Sequence, residues 1–163
     1  MATWSFVTLV LGALALGAPL AHVLEMPVRR AYDPALYVMV THTLYAHFAT
    51  AGAAFEVGAV VAAAVLAALI WRDSRAPAPA RGFVLGGAAC LAVAHAIWWL
   101  LVMPVNLEFA TWTPQAVPAD WMRWRDQWEF THTARAGLFL LGYCGLLAAV
   151  LSDRCRRPVE STG

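Results

Sequence analysis

The sequence predicts an all-α fold, an integral membrane four-helix bundle running up, down, up and down. Three observations predict it. Hydrophobic residues make up 61% of the 163 positions and charged residues 13%, where a soluble domain is roughly half apolar and a quarter charged. Four apolar runs are each about 20 residues or longer, the length that crosses hydrocarbon. The charges gather between those runs, and all of the cationic ones are arginine, with no lysine in the chain.

The first span covers about 4–25, its stretch TWSFVTLVLGALALGAPLA staying apolar up to and past Pro19. It lacks the positive leading region of a cleavable secretion signal and is read as a retained helix. The second covers about 37–71. Asp33-Pro34 is an N-cap and first-turn pair, so one helix is expected from there to Arg72, its first turns standing outside the bilayer. Asp73 to Arg81, DSRAPAPAR, is a proline-rich turn that ends it. The third span covers about 83–103 and the fourth about 130–151. Between them residues 104–128, rich in proline, tryptophan and charge, form the one sizeable loop.

Six arginines (Arg72, Arg75, Arg81, Arg154, Arg156, Arg157) flank the side of the second turn and the carboxyl terminus, against four opposite. The positive-inside rule then places both termini on the cytoplasmic side of a multi-pass protein, expected in a bacterial cytoplasmic membrane. A formal net charge of +1 with arginines at segment ends argues against nucleic acid as a partner. Cys90, Cys144 and Cys155 form no CxxC pair and read as packing residues. Trp4, Trp71, Trp112, Trp121, Trp124 and Trp128 sit near span ends, where tryptophan anchors helices at the interface.

Ionisable residues inside a span are costly unless paired or hydrated, so each marks a candidate site. His22 and Glu25 end span one at a spacing of three, and Glu129 and His132 open span four at the same spacing reversed. Because these spans run in opposite directions, both motifs put Glu outermost and His about 4.5 Å deeper. Span two adds Glu56 on a stripe with Tyr45 and Gly52, and span three adds His95 on a stripe with Trp98, Val102 and Asn106. Arg135 and Tyr143 continue the line of Glu129 and His132. His47 lies nine residues before Glu56 and points away, so it is excluded. His22, Glu25, Glu56, His95, Glu129 and His132 are a donor set that suits a divalent transition metal. Arg135 argues the other way, toward a metal-free network of salt bridges across the helices. Haem, on His95 with His22 or His132, has no spacing to support it.

The combination Pro104-Val-Asn106, Trp112, Asp120-Trp121, Arg125, Trp128-Glu129, His132 and Arg135, with Ala21-His22, Pro27, Leu44-Tyr45 and Glu56 in the first half, resembles the anthrone oxygenase-like family of small four-helix membrane proteins. The resemblance covers nearly the whole chain. It implies a four-helix membrane bundle and an oxygenase-like oxidoreductase acting on an apolar, aromatic small molecule. In that scheme His132 or Glu129 removes a proton, Arg135 or Asn106 holds the enolate oxygen, and Trp98, Trp128 and Tyr45 contact the ligand or a cofactor. The rival expectation is a non-enzymatic membrane protein whose polar cluster is structural or binds metal, haem or lipid. A transporter would need a homo-oligomer, since four spans without a repeat give little material for alternating access.

Overall fold

The computed structural model describes residues 2–46 and 48–154; His47, Cys155, Arg156 and Arg157 lie outside the described residues. Helix α1 is Ala2–Arg29, α2 Pro34–Thr43, α3 Phe48–Arg72, α4 Ala78–Ile97, α5 Met103–Phe109 and α6 Trp121–Arg154, with a π turn at Trp98–Val102 joining α4 to α5. Four stretches are long and apolar enough to cross a membrane: Ala2–Arg29, Thr50–Arg72, Ala78–Phe109 and Trp121–Asp153. The protein is a multi-pass membrane four-helix bundle with no strand among the described residues.

The second span differs from expectation. Asp33 does cap α2, its Oδ1 accepting from Leu36 N at 2.9 Å, but the helix stops at Thr43. Bonds spanning three residues, Thr43 O to Ala46 N and Tyr45 O to Phe48 N, replace the α pattern over 44–46. This break aims Tyr45 inward at Arg29 and Glu25, and those buried polar contacts outweigh helix continuity.

The 104–128 loop is also shorter than expected. The third span continues to Phe109 and α6 begins at Trp121, leaving a connection over 110–120. Pro104 has no N–H for the carbonyl of residue 100, and its ring crowds that oxygen in an α-helix. The π turn just before it, in which Met103 N bonds Trp98 O, widens the helix there and lets it proceed. Likewise α4 starts at Ala78, since Pro79 falls in its first turn, where proline is tolerated.

Helices α3 and α4 meet at the turn 73–77, and this end is closely packed. Ala59, Ala63, Leu66, Ile70, Ala80, Val84, Leu91, Phe139, Leu146 and Ala149 form its buried core. Helices α4 and α6 touch through glycine: a Cβ on Gly142 would meet Gly87 O at 3.0 Å, and one on Gly145 would meet Phe83 O at 3.1 Å. Trp4 Nε1 and Thr8 Oγ1 donate to Ala62 O at 3.0 and 3.3 Å, tying α1 to α3. At the opposite end a second cluster, Tyr37, Val38, Val102, Val105, Phe109, Trp112 and Trp128, packs α2 and α5 over α6. Trp112 and Trp128 are therefore interior residues, each 4% exposed, and not interfacial anchors.

Candidate functional site

The end bearing α2 and the 110–120 connection holds a cavity of about 600 Å³. It lies where the carboxyl end of α1, the start of α3, the end of α4 and the start of α6 converge. Its wall includes His22, Tyr45, Glu56, His95, Trp98, Asn106, Trp128, His132 and Arg135. These sequence-predicted residues are thus brought together, while Glu25 and Glu129 lie behind the wall.

The reason lies in Arg29, which sequence reasoning passed over. Its side chain is buried and grips Glu129 with two parallel bonds, Nε to Oε1 at 2.9 Å and Nη2 to Oε2 at 2.6 Å. The same guanidinium donates to Glu25 Oε2 at 3.0 Å, to the Tyr45 hydroxyl and to His22 O at 2.8 Å. Tyr37 Oη adds a bond to Glu129 Oε1 at 3.2 Å, and Tyr45 donates to Glu25. Such a bidentate fork is the strongest ion-pair geometry a protein makes. Burial, then the Glu129 carboxylate, pushes the Tyr37 hydroxyl pKa up. Burial and the bond to Glu25 push Tyr45 up to about 12, Arg29 partly opposing this. One signal was available: Arg29 follows Glu25 by four residues and His22 by seven, on the same helix stripe. Next to Arg30, it reads instead as part of a flanking charge pair.

A second network forms one wall of the cavity. Arg135 Nη2 bonds Glu56 Oε1, and its Nε donates to Ala94 O at 3.0 Å. Glu56 Oε2 meets His95 Nδ1 at 3.3 Å, and His95 Nε2 accepts from Trp99 Nε1 at 3.1 Å. A ring nitrogen that accepts carries no hydrogen, so His95 Nδ1 is the donor to Glu56.

Two imidazoles meet edge to face on the remaining wall, with ring centroids of His22 and His132 4.5 Å apart. His132 Nδ1 lies 2.9 Å from Trp128 O. A carbonyl oxygen only accepts, so Nδ1 holds the hydrogen and Nε2 of the neutral ring keeps its lone pair. His22 Nδ1 is buried with no partner among the described residues. Trp128 touches both rings, edge-on to His22 with centroids 4.8 Å apart and tilted by 44° against His132 at 4.2 Å. Its Nε1 donates to Asn106 Oδ1 at 2.9 Å, which leaves the Asn106 NH₂ to donate elsewhere. Phe48 and Phe109 complete the aromatic lining, and His42, also lining it, reaches Phe109 O through Nε2 at 2.9 Å.

Among the described residues no three His, Cys, Asp or Glu side chains converge as the ligands of a metal ion. The six expected donors fall into separate pairings: Glu25 and Glu129 belong to Arg29, and Glu56 to Arg135 and His95. A metal would have to displace guanidinium groups from both buried carboxylates, so this donor set does not fit one. No protein-family model, curated protein or solved structure matches this chain.

Proposed function

We propose that this chain is a membrane-embedded, oxygenase-like oxidoreductase that takes an apolar, aromatic small molecule of the anthrone type into the cavity. The observation that carries it is an aromatic-walled space of about 600 Å³ lined by His132, whose Nδ1 is engaged by Trp128 O and whose Nε2 has no hydrogen-bond partner among the described residues. That volume falls within the 300–1,000 Å³ or so of small-molecule pockets, and the family resemblance of the sequence supports the same chemistry. His132 Nε2 takes a proton from the acidic methylene, and the oxygen of the resulting enolate is held by the Asn106 amide and the Arg135 guanidinium. Dioxygen, the co-reactant, oxidises the carbanion. One oxygen atom becomes the new carbonyl and the other leaves as water, so CH₂ and O₂ give C=O and H₂O. Glu129 takes no part as a base here because Arg29 occupies both of its oxygens; it supports the wall from behind. The arginine excess at the opposite end supports an orientation with the cavity on the outer side of a bacterial cytoplasmic membrane and both termini inside.

Anthrone supplied to the purified protein in vesicles tests this. Oxygen uptake and anthraquinone formation are expected in equal amounts, above the uncatalysed rate. His132→Gln is expected to lower the rate about 10²-fold or more while thermal melting shows a folded bundle. A wild-type rate no higher than background overturns the proposal.

A rival reading is favoured by one observation: the buried carboxylates Glu129 and Glu56 are both matched by arginine. In that reading the protein is not an enzyme, and the cluster is a structural clamp or a site for lipid or haem. His132→Gln then reduces folded protein with no separable loss of activity.

A further inference from the structure

We infer that the cavity is loaded sideways from the hydrocarbon, through a slot between α3 and α4, and that its ligand is a neutral molecule dissolved in the bilayer. This rests on the apolar ligand proposed above and adds the route. The cavity has exposed residues on its rim in two places. One set, His42, Ala46 and Ala110, lies beyond the spans, at the water-facing end. The other is Val57 on α3 and Trp99 in the π turn that follows α4, 48% and 55% exposed, and these lie within the spans Thr50–Arg72 and Ala78–Phe109. Val57 is seven residues past Thr50, which at the helical rise is about 10 Å along the span. With a hydrocarbon core of about 30 Å laid over that span, an opening at that depth meets acyl chains, not water.

The slot has a built edge. On the α3 side Ala53 and Val57 present little bulk. On the α4 side the Trp99 indole is held by its bond to His95 Nε2, and His95 is held in turn by Glu56 across the gap. The polar atoms of the edge are thus bonded to one another and do not face lipid unpaired, as an opening within hydrocarbon requires. The π turn begins at Trp98, so the backbone beside the slot is the least regular part of any span, a setting common at functional sites.

Benzophenone, an apolar photoreactive probe, separates the two rims. Vesicles loaded with it are mixed with vesicles holding the protein and irradiated briefly, and adducts are located by mass spectrometry, with the lipid-facing Leu100, 71% exposed, as the internal reference. The expected result is labelling of cavity residues at a rate set by the probe-to-lipid ratio. The slot variant Val57→Phe should slow it at least 10-fold relative to Leu100, and Ala46→Phe should leave it unchanged. The reverse pattern, slowing by Ala46→Phe alone, overturns the slot and leaves the proposed function standing. Equal rates in all three proteins also overturn the slot. Absence of cavity adducts in the wild type removes the apolar site, and the slot with it.

Discussion

The two ends of this bundle hold their helices together by opposite means. Near the 73–77 turn, α4 and α6 approach until backbone meets backbone, with Gly87, Gly142 and Gly145 giving up side chains to allow it. At the far end the helices are bridged by long side chains, Arg29 reaching from α1 to α6 and Arg135 from α6 to α3. Lipid is as apolar as leucine, so no hydrophobic force pulls membrane helices together; small-residue packing and polar bonds do so instead. The first leaves no space and the second spans it. A cavity is therefore found at the end held by charge, and the closely packed end supplies the fixed base from which that cavity can be held open.

Breaking the charged end should have the larger effect. Arg29→Met strands Glu129 in the interior and releases Glu25, Tyr45 and the His22 carbonyl together. A loss of about 3–5 kcal/mol is expected, as for other buried pairs deprived of one partner, read by equilibrium unfolding in detergent micelles. A change below about 1 kcal/mol would mean that water reaches Glu129 and that the clamp is not a buried one. At the packed end, Gly142→Leu drives a side chain against Gly87 O and Leu91. Overpacking costs about 1–3 kcal/mol, and because the damage is remote from the cavity, ligand binding per folded molecule should be preserved.

A smaller effect sharpens the contrast from the solvent side. Tyr45 is raised to about 12 and Tyr37 is raised too, from an ordinary value near 10. In the folded state both hold their protons more tightly, so their stabilising contribution is complete below about pH 10 and is lost as pH rises toward 12 and beyond. Melting temperature should fall over that window in the wild type and fall less in the Tyr37→Phe, Tyr45→Phe double variant. Gly142→Leu lies far from both of these hydroxyls and should leave the difference between the two slopes unchanged.

The four spans were legible because hydrocarbon sets a length and the chain meets it in four apolar runs. His22, Glu56, His95, His132 and Arg135 were legible because each stands out within such a run, and helical phase alone turns them to one face. Legibility stopped where one segment's conformation depends on another's side chains. The break at 44–46 exists because Tyr45 meets Arg29, sixteen residues earlier, and no local pattern encodes that meeting. Arg29 itself was masked by Arg30. A charge pair at a span end normally lies in water, and only the position of Glu129, 100 residues along, turns one of the two inward. Pro104 signalled an end to the third span, where the chain keeps going by changing its helical repeat.

That change of repeat leaves room for variation in length. A π turn holds one residue more than an α turn between the same two flanking segments, so α4 below Trp98 and α5 above Val102 can keep their neighbours if a single residue between them is lost. The insertion sits beside Trp98 and Trp99, at the cavity wall. Most of this chain is bound to a fixed count of residues by the thickness it must cross. The stretch next to the cavity is where the count can change by one without shifting either half of the helix.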